Sequence, residues 1–182
     1  MCDDMNNNCQ RLEEKYVMEQ KYSSYIFRTS FISFLSSVYA LYCGCYDLAA
    51  MTGGVFLTSV NYWRKPVYGW RRNLDMSYVG LAVSYQNYRA YHLLSSSSQL
   101  PALLTYYTFA CIGIGYYYLS VNLYKKKYIW SSTFAHCIMH TVANTANVFL
   151  YNRIGMGNSQ PPIESAPAFC PLSDAPFFRL HI

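Results

Sequence analysis

Charged side chains are scarce in this chain, at 13% of 182 residues, against about a quarter in ordinary soluble domains. Acidic groups are the rarer sign, nine against fourteen Lys and Arg. The shortage weighs against a water-facing globular fold. No Cys-x-x-Cys pair occurs among the seven cysteines, which weighs against a zinc ribbon or a thioredoxin-like redox site. An odd count also leaves no complete disulfide framework. Whether Cys43, Cys45 or Cys170 enter disulfides is left open, although Cys43 and Cys45 are expected at a helix end. There is no Asn-x-Ser/Thr sequon and no internal repeat, and no cleavable signal peptide is expected. The first 24 residues are polar and mixed in charge, with Asp3, Asp4, Glu13, Glu14 and Glu19. An uncleaved first membrane helix is therefore the expectation.

Apolar and aromatic residues fill the space that charge leaves. The chain is 53% hydrophobic and holds 20 tyrosines. Tyrosine explains a mean hydropathy of only +0.03, because its ring is apolar while its hydroxyl can pair or sit at a membrane interface. Five hydrophobic stretches stand out, at about 25–42, 48–62, 75–91, 100–123 and 128–151. A spanning helix needs roughly 17–25 residues. The expected fold is an all-α, multi-pass transmembrane bundle over 25–151. A polar segment at 1–24 precedes it, and a Pro-rich tail at 152–182 follows.

The placement of charge supports that division. With the N-terminus on the cytoplasmic side, 11 of the 14 basic residues fall in inside segments, as the positive-inside rule requires. The tail is then on the opposite side, and the organelle is left open. Arg64, Lys65, Arg71, Arg72, Lys125, Lys126 and Lys127 are the expected lipid-headgroup contacts, with Trp63 and Trp70 suited to the headgroup belt. Basic residues placed as topology markers do not point to nucleic acid. The expected partner is the bilayer, with other membrane proteins or further copies of the chain as additional partners. Gly53, Gly54, Gly113 and Gly115 are expected to let helices approach closely, and Tyr78, Tyr85, Tyr88 and Tyr91 to form a bundle-facing stripe.

One polar stripe stands inside the last hydrophobic stretch: His136, His140, Asn144 and Asn147, on one helical face. Polar groups at membrane depth are costly and face a bundle interior. At 1.5 Å per residue, His136 and His140 lie roughly 12 and 18 Å from the inner end of that stretch. Ser59 and Asp75 belong to the same inner half, whereas His92 belongs to the outer end. Two histidines one turn apart plus Asp75 make a plausible hydrolytic zinc set. A hydrogen-bonded seam of His136, His140, Asn144 and Asn147 is the simpler reading. The simpler reading of Asp75 is that it caps the start of its helix or pairs with Arg71 or Arg72, and that of Ser59 is helix packing.

The segments Thr58-Ser59-Val60-Asn61-Tyr62-Trp63, Arg71-Arg72-Asn73-Leu74-Asp75 and His136-x-x-x-His140 resemble the CREST membrane hydrolases. That superfamily includes alkaline ceramidases, progestin/adipoQ receptors and haemolysin III-like proteins. The resemblance implies zinc held by histidines at 136 and 140, with Ser59 and Asp75 assisting hydrolysis of a lipid amide. Trp63 stands where the pattern has its first zinc histidine, and the family has seven spans. The leading expectation is therefore a non-enzymatic structural or interaction protein of the membrane, a catalytically inactive CREST-like chain without a cofactor. The alternatives are a zinc-dependent lipid amide hydrolase and a small-solute or proton transporter.

Overall fold

The computed structural model describes residues 16–158. The polar N-terminal stretch before Tyr16, and the Pro-rich tail with Cys170, lie outside the described residues. Five α-helices make up the described chain: α1 Gln20–Tyr42, α2 Tyr46–Trp63, α3 Trp70–Leu94, α4 Leu100–Lys125 and α5 Ile129–Asn158. The all-α class and the five segments agree with the sequence reading. The tyrosine-rich third segment is a full helix of 25 residues. Helix α5 continues beyond Tyr151 to Asn158, so the tail begins later than its composition suggests.

Two of the turns are Schellman motifs. Cys45 N–H donates to Ala40 O at 2.9 Å and Gly44 N–H to Leu41 O at 3.0 Å, with Gly44 left-handed at φ 73°. Glycine suits that position because it lacks the Cβ that crowds there. Cys43 and Cys45 are thus the C-cap of α1 and the N-cap of α2. At the other motif Tyr128 N–H donates to Leu123 O and Lys127 N–H to Tyr124 O, with Lys127 left-handed at φ 63°. Cationic side chains there also complement the negative end of α4.

Short connections force consecutive helices to run antiparallel. Their neighbour order is α3, α2, α1, α5, α4, with α4 returning to touch α3 lightly. The first and last helices therefore lie side by side. Lys21, Arg64, Lys65, Arg71, Arg72 and Lys125–Lys127 gather at one end. That basic end is tied together by the N-terminal segment. Val17 N–H donates to Pro66 O at 2.7 Å, and the Tyr124 hydroxyl donates to Val17 O.

Apolar packing is concentrated towards the two ends of the bundle. One cluster joins Ala40, Leu48, Ala90, Leu103, Tyr106 and Leu150. The other joins Met18, Ile26, Tyr62 and Trp63 at the basic end. Along each helix the stretch between them is polar: Ser30, Ser33 and Ser36 on α1, Thr52 and Ser59 on α2, His140, Asn144 and Asn147 on α5, all buried. Large apolar side chains point the other way. On α1 alone Phe31, Phe34, Leu35, Val38 and Leu41 are exposed.

No helix among the described residues is long and apolar enough to cross a membrane. The expectation of five spans is thus met in helix number and order, but not in apolarity. The reason is visible in the packing. Lengths run from 18 to 30 residues, but serine, threonine, asparagine and histidine share the inward faces with apolar residues, and tyrosine is frequent elsewhere.

The glycine expectations divide. Gly53 faces Ser37, Gly54 faces Tyr78, and Gly113 faces the Ala143 backbone, whereas Gly115 looks onto open space. Of the tyrosine stripe, Tyr78 and Tyr85 are partly buried, while Tyr88 and Tyr91 are each 57% exposed. A methyl group at position 54 would fall 2.1 Å from the Tyr78 hydroxyl and 2.2 Å from its ring. Overpacking of this kind costs typically about 1–3 kcal/mol. Gly54→Ala is therefore expected to lower the thermal midpoint, and adding Tyr78→Ala to restore part of the loss. An unchanged midpoint for Gly54→Ala would refute this α2–α3 contact.

Candidate functional site

Ser59 and Asp75 meet because the connection at 64–69 folds α3 back along α2. Ser59 Oγ donates to Asp75 Oδ1 at 2.7 Å, and Thr58 Oγ1 donates to the same oxygen at 3.0 Å. Both Ser59 and Asp75 are buried. Asp75 does not cap its helix. Helix α3 begins at Trp70, with Gly69 as an N-cap that makes no side-chain bond, so Asp75 belongs to the second turn and faces α2. Nor is an ion pair formed with Arg71 or Arg72 among the described residues; those guanidinium groups lie over the rings of Trp70, at 5.7 Å, and Tyr68, at 5.6 Å. Ser59 is thus a hydrogen-bond donor as well as a packing residue.

His136 and His140 sit one turn apart on α5 with ring centroids 5.1 Å apart, edge to face. The Trp63 indole meets the His136 ring edge to face at 5.2 Å. Ser120 Oγ on α4 is 3.4 Å from His136 Nδ1. Further along α5, Asn144 Nδ2 donates to Ser33 Oγ of α1 at 3.1 Å and to His140 O at 2.8 Å. His140 Nε2 and Asn144 Oδ1 are buried and make no hydrogen bond among the described residues. Asn147 is buried one turn on. The stripe read from the sequence is therefore an inward-facing seam on α5.

These donors do not fit a catalytic zinc. Such a site takes three protein ligands and an open position. Among the described residues no group of three or more His, Cys, Asp or Glu lies together as a metal site would. Trp63 is brought beside His136, the place that the resemblance reserves for a histidine, but its indole offers no lone pair to a metal. Asp75 is engaged by Ser59 and Thr58. His92 is exposed, with its ring 4.4 Å from Tyr88 and 5.8 Å from Tyr91.

Two further polar groups escaped the sequence reading. In the first, Gln86 Nε2 of α3 donates to Thr52 Oγ1 of α2 at 3.1 Å, and Thr52 Oγ1 is 2.5 Å from the Tyr151 hydroxyl of α5. All three side chains are buried. The signal for Gln86 was present: Ala82, Gln86, Ala90 and Leu94 recur every four residues and are buried together. The second group lies at the end opposite the basic one. Arg89 Nε is 2.8 Å from Asp47 Oδ2, an ion pair without hydrogen-bond linearity, and the Tyr85 hydroxyl donates to the same oxygen at 2.7 Å. Burial pushes the Asp47 carboxyl up, but the Tyr85 hydroxyl, the Leu48 backbone N–H and the Arg89 charge outweigh it and hold it below its ordinary value.

The basic residues expected at lipid headgroups do share one end. Tyr16, Lys65, Tyr68, Trp70 and Arg71 line a cleft of about 330 Å³ there. Arg64, Lys65 and Lys125–Lys127 are exposed, and Arg71 and Arg72 partly so. Compared with known proteins, the chain matches no family model, no curated protein and no solved structure.

Removing a buried partner costs more than a hydrogen bond is worth, about 1–3 kcal/mol for the group left behind. Ser59→Ala is expected to destabilise the bundle by about that amount, with much less added when Asp75→Asn is already present. Additive losses in that cycle would show that the two residues do not interact. For Asp47 the folded carboxyl is more acidic than the unfolded one. Its contribution is present above about pH 4 and is lost as pH falls through the folded value. Arg89→Gln should therefore show a shallower loss of stability on acidification below about pH 4, read from denaturation midpoints across pH.

Proposed function

We propose that this chain is a multi-pass membrane protein with a structural or interaction role, whose helices are joined through a polar interior. The observation that carries the reading is a pairing of two features: serine, threonine, asparagine and histidine are buried between the helices beside the apolar clusters, and many large apolar side chains, Phe31, Phe34, Leu35, Val38 and Leu41 on α1 among them, are exposed. Water-soluble monomers rarely expose apolar patches beyond a few hundred Å². Membrane bundles instead bury small and polar residues between helices and turn large apolar groups to lipid. Mean hydropathy falls short because polar side chains and tyrosine are frequent on the helices, on buried and exposed faces alike.

The Ser59–Asp75 bond and the placing of Trp63 beside His136 support reading the bundle as CREST-like in arrangement and inactive as a hydrolase. On this reading the inner half has tryptophan in the ligand position, and its Asp75 accepts two hydroxyls through Oδ1. What it retains are cross-links: Ser59 to Asp75, Ser33 to Asn144, and Thr52 to Tyr151.

Expression in a microsomal system tests the reading. The chain is expected to stay in the membrane pellet after alkaline carbonate and to dissolve only with detergent. Pro171→Asn creates an Asn-Leu-Ser acceptor in the tail and should gain a glycan. Cys9→Ser creates an Asn-Asn-Ser acceptor before α1 and should gain none. Release by carbonate would overturn the membrane reading. The opposite glycan pattern would overturn the orientation.

A further inference from the structure

A groove of about 520 Å³ runs between α4 and α5 at the basic end. Tyr116, Leu119 and Leu123 of α4 form one wall, and Trp130, Phe134 and Ile138 of α5 the other. These residues recur at three- and four-residue intervals, so each wall is a continuous helical face about 12 Å long. Most of the lining is apolar, and Leu119, Trp130 and Phe134 are 45–69% exposed. Leu123 and Trp130 flank the turn between the helices, which carries Lys125, Lys126 and Lys127, all exposed. Behind the Trp130 wall, Lys21 Nζ lies 5.3 Å from the indole centroid. Tyr22 and Tyr25 of α1 pack edge to face on the same indole, at 4.9 and 5.6 Å, which fixes the wall in place.

We infer that this groove is a binding site for an anionic phospholipid, with an acyl chain between α4 and α5 and its phosphate at Lys125–Lys127. The inference rests on the membrane reading above. Charge complementarity selects the occupant: an apolar groove whose two walls are joined by a turn with three consecutive exposed cations suits a chain carrying an anionic head. Basic residues beside the bilayer surface attract anionic lipid individually. Here three consecutive exposed lysines, the last left-handed at φ 63°, lie in the turn that joins the two walls. A zwitterionic lipid offers the same tail without the net charge, and a free phosphate offers the charge without the tail.

Native mass spectrometry of the full chain in a neutral detergent tests this, with equal amounts of dioleoyl phosphatidylglycerol and dioleoyl phosphatidylcholine. Wild type is expected to retain phosphatidylglycerol preferentially, by roughly tenfold to a hundredfold at low salt and less at high salt. Combined Lys125→Gln, Lys126→Gln and Lys127→Gln should abolish the preference. Leu119→Trp, which fills the groove, should lower retention of both lipids. Arg64→Gln with Lys65→Gln, at the same end but away from the groove, should lower the preference far less than the triple change. Thermal midpoints report whether each variant is folded, and Lys127→Gly, which relieves the left-handed turn, is a second charge-removing variant. The inference is overturned if the preference survives the triple change, is lost equally in the Arg64/Lys65 control, or is displaced by glycerol 3-phosphate at matching concentration. A dimer without lipid preference would assign the groove to a second copy and also overturn it. A chain that resists carbonate extraction yet shows no preference loses this site alone, whereas carbonate release removes the membrane reading itself.

Discussion

The hydrogen bonds that cross between helices in the middle of the bundle are the constraint on which the rest of the structure depends. Ser33 with Asn144, Ser59 with Asp75, and Thr52 with Gln86 and Tyr151 are buried. A buried polar group without its partner costs more than a formed bond gains. Each pair therefore fixes the rotation and register of two helices at once. Apolar packing at either end tolerates sliding by comparison, since it is non-directional.

Helix α5 carries most of this burden. It gives Asn144 to α1, His136 to α4 and Trp63 of α2, and Tyr151 to α2 and α3. Its neighbours on either side are α1 and α4, and the light contact of α4 with α3 closes the ring. Small residues make these approaches close enough for short side chains to bond. Serine on α1 and Gly53, Gly54 and Gly113 on α2 and α4 keep the backbones near one another.

The number, order and approximate limits of the helices were legible in the sequence, because hydrophobic stretches separated by basic or serine-rich turns leave few alternatives. The inward direction of His136, His140, Asn144 and Asn147 was legible too, since helical periodicity assigns a face. Which groups would pair was not. The Ser59–Asp75 bond depends on the angle at which the connection at 64–69 returns α3 to α2, and the start of α3 at Trp70 took Asp75 out of any capping position. Thr52, Gln86 and Tyr151 come from three helices whose relative register no single-chain pattern encodes. Trp63 illustrates both sides. Its failure as a ligand followed from its chemistry, whereas its stacking on His136 required the packed bundle.

Synthesis of the chain gives the α1 serine face a particular history. Ser33 and Asn144 are 111 residues apart, and the helix that completes the interior is the last to be made. Until then the α1–α2 hairpin must carry Ser30, Ser33 and Ser36 without the α5 surface that covers them. Their hydroxyls can donate to the carbonyl one turn back, as Ser30 does to Ile26 at 3.0 Å. A face of serine therefore suits a helix that must wait, because each residue carries an internal acceptor for the interval. The larger Asn144 stands on α5, where it donates both to its own helix at His140 O and across to Ser33 of α1.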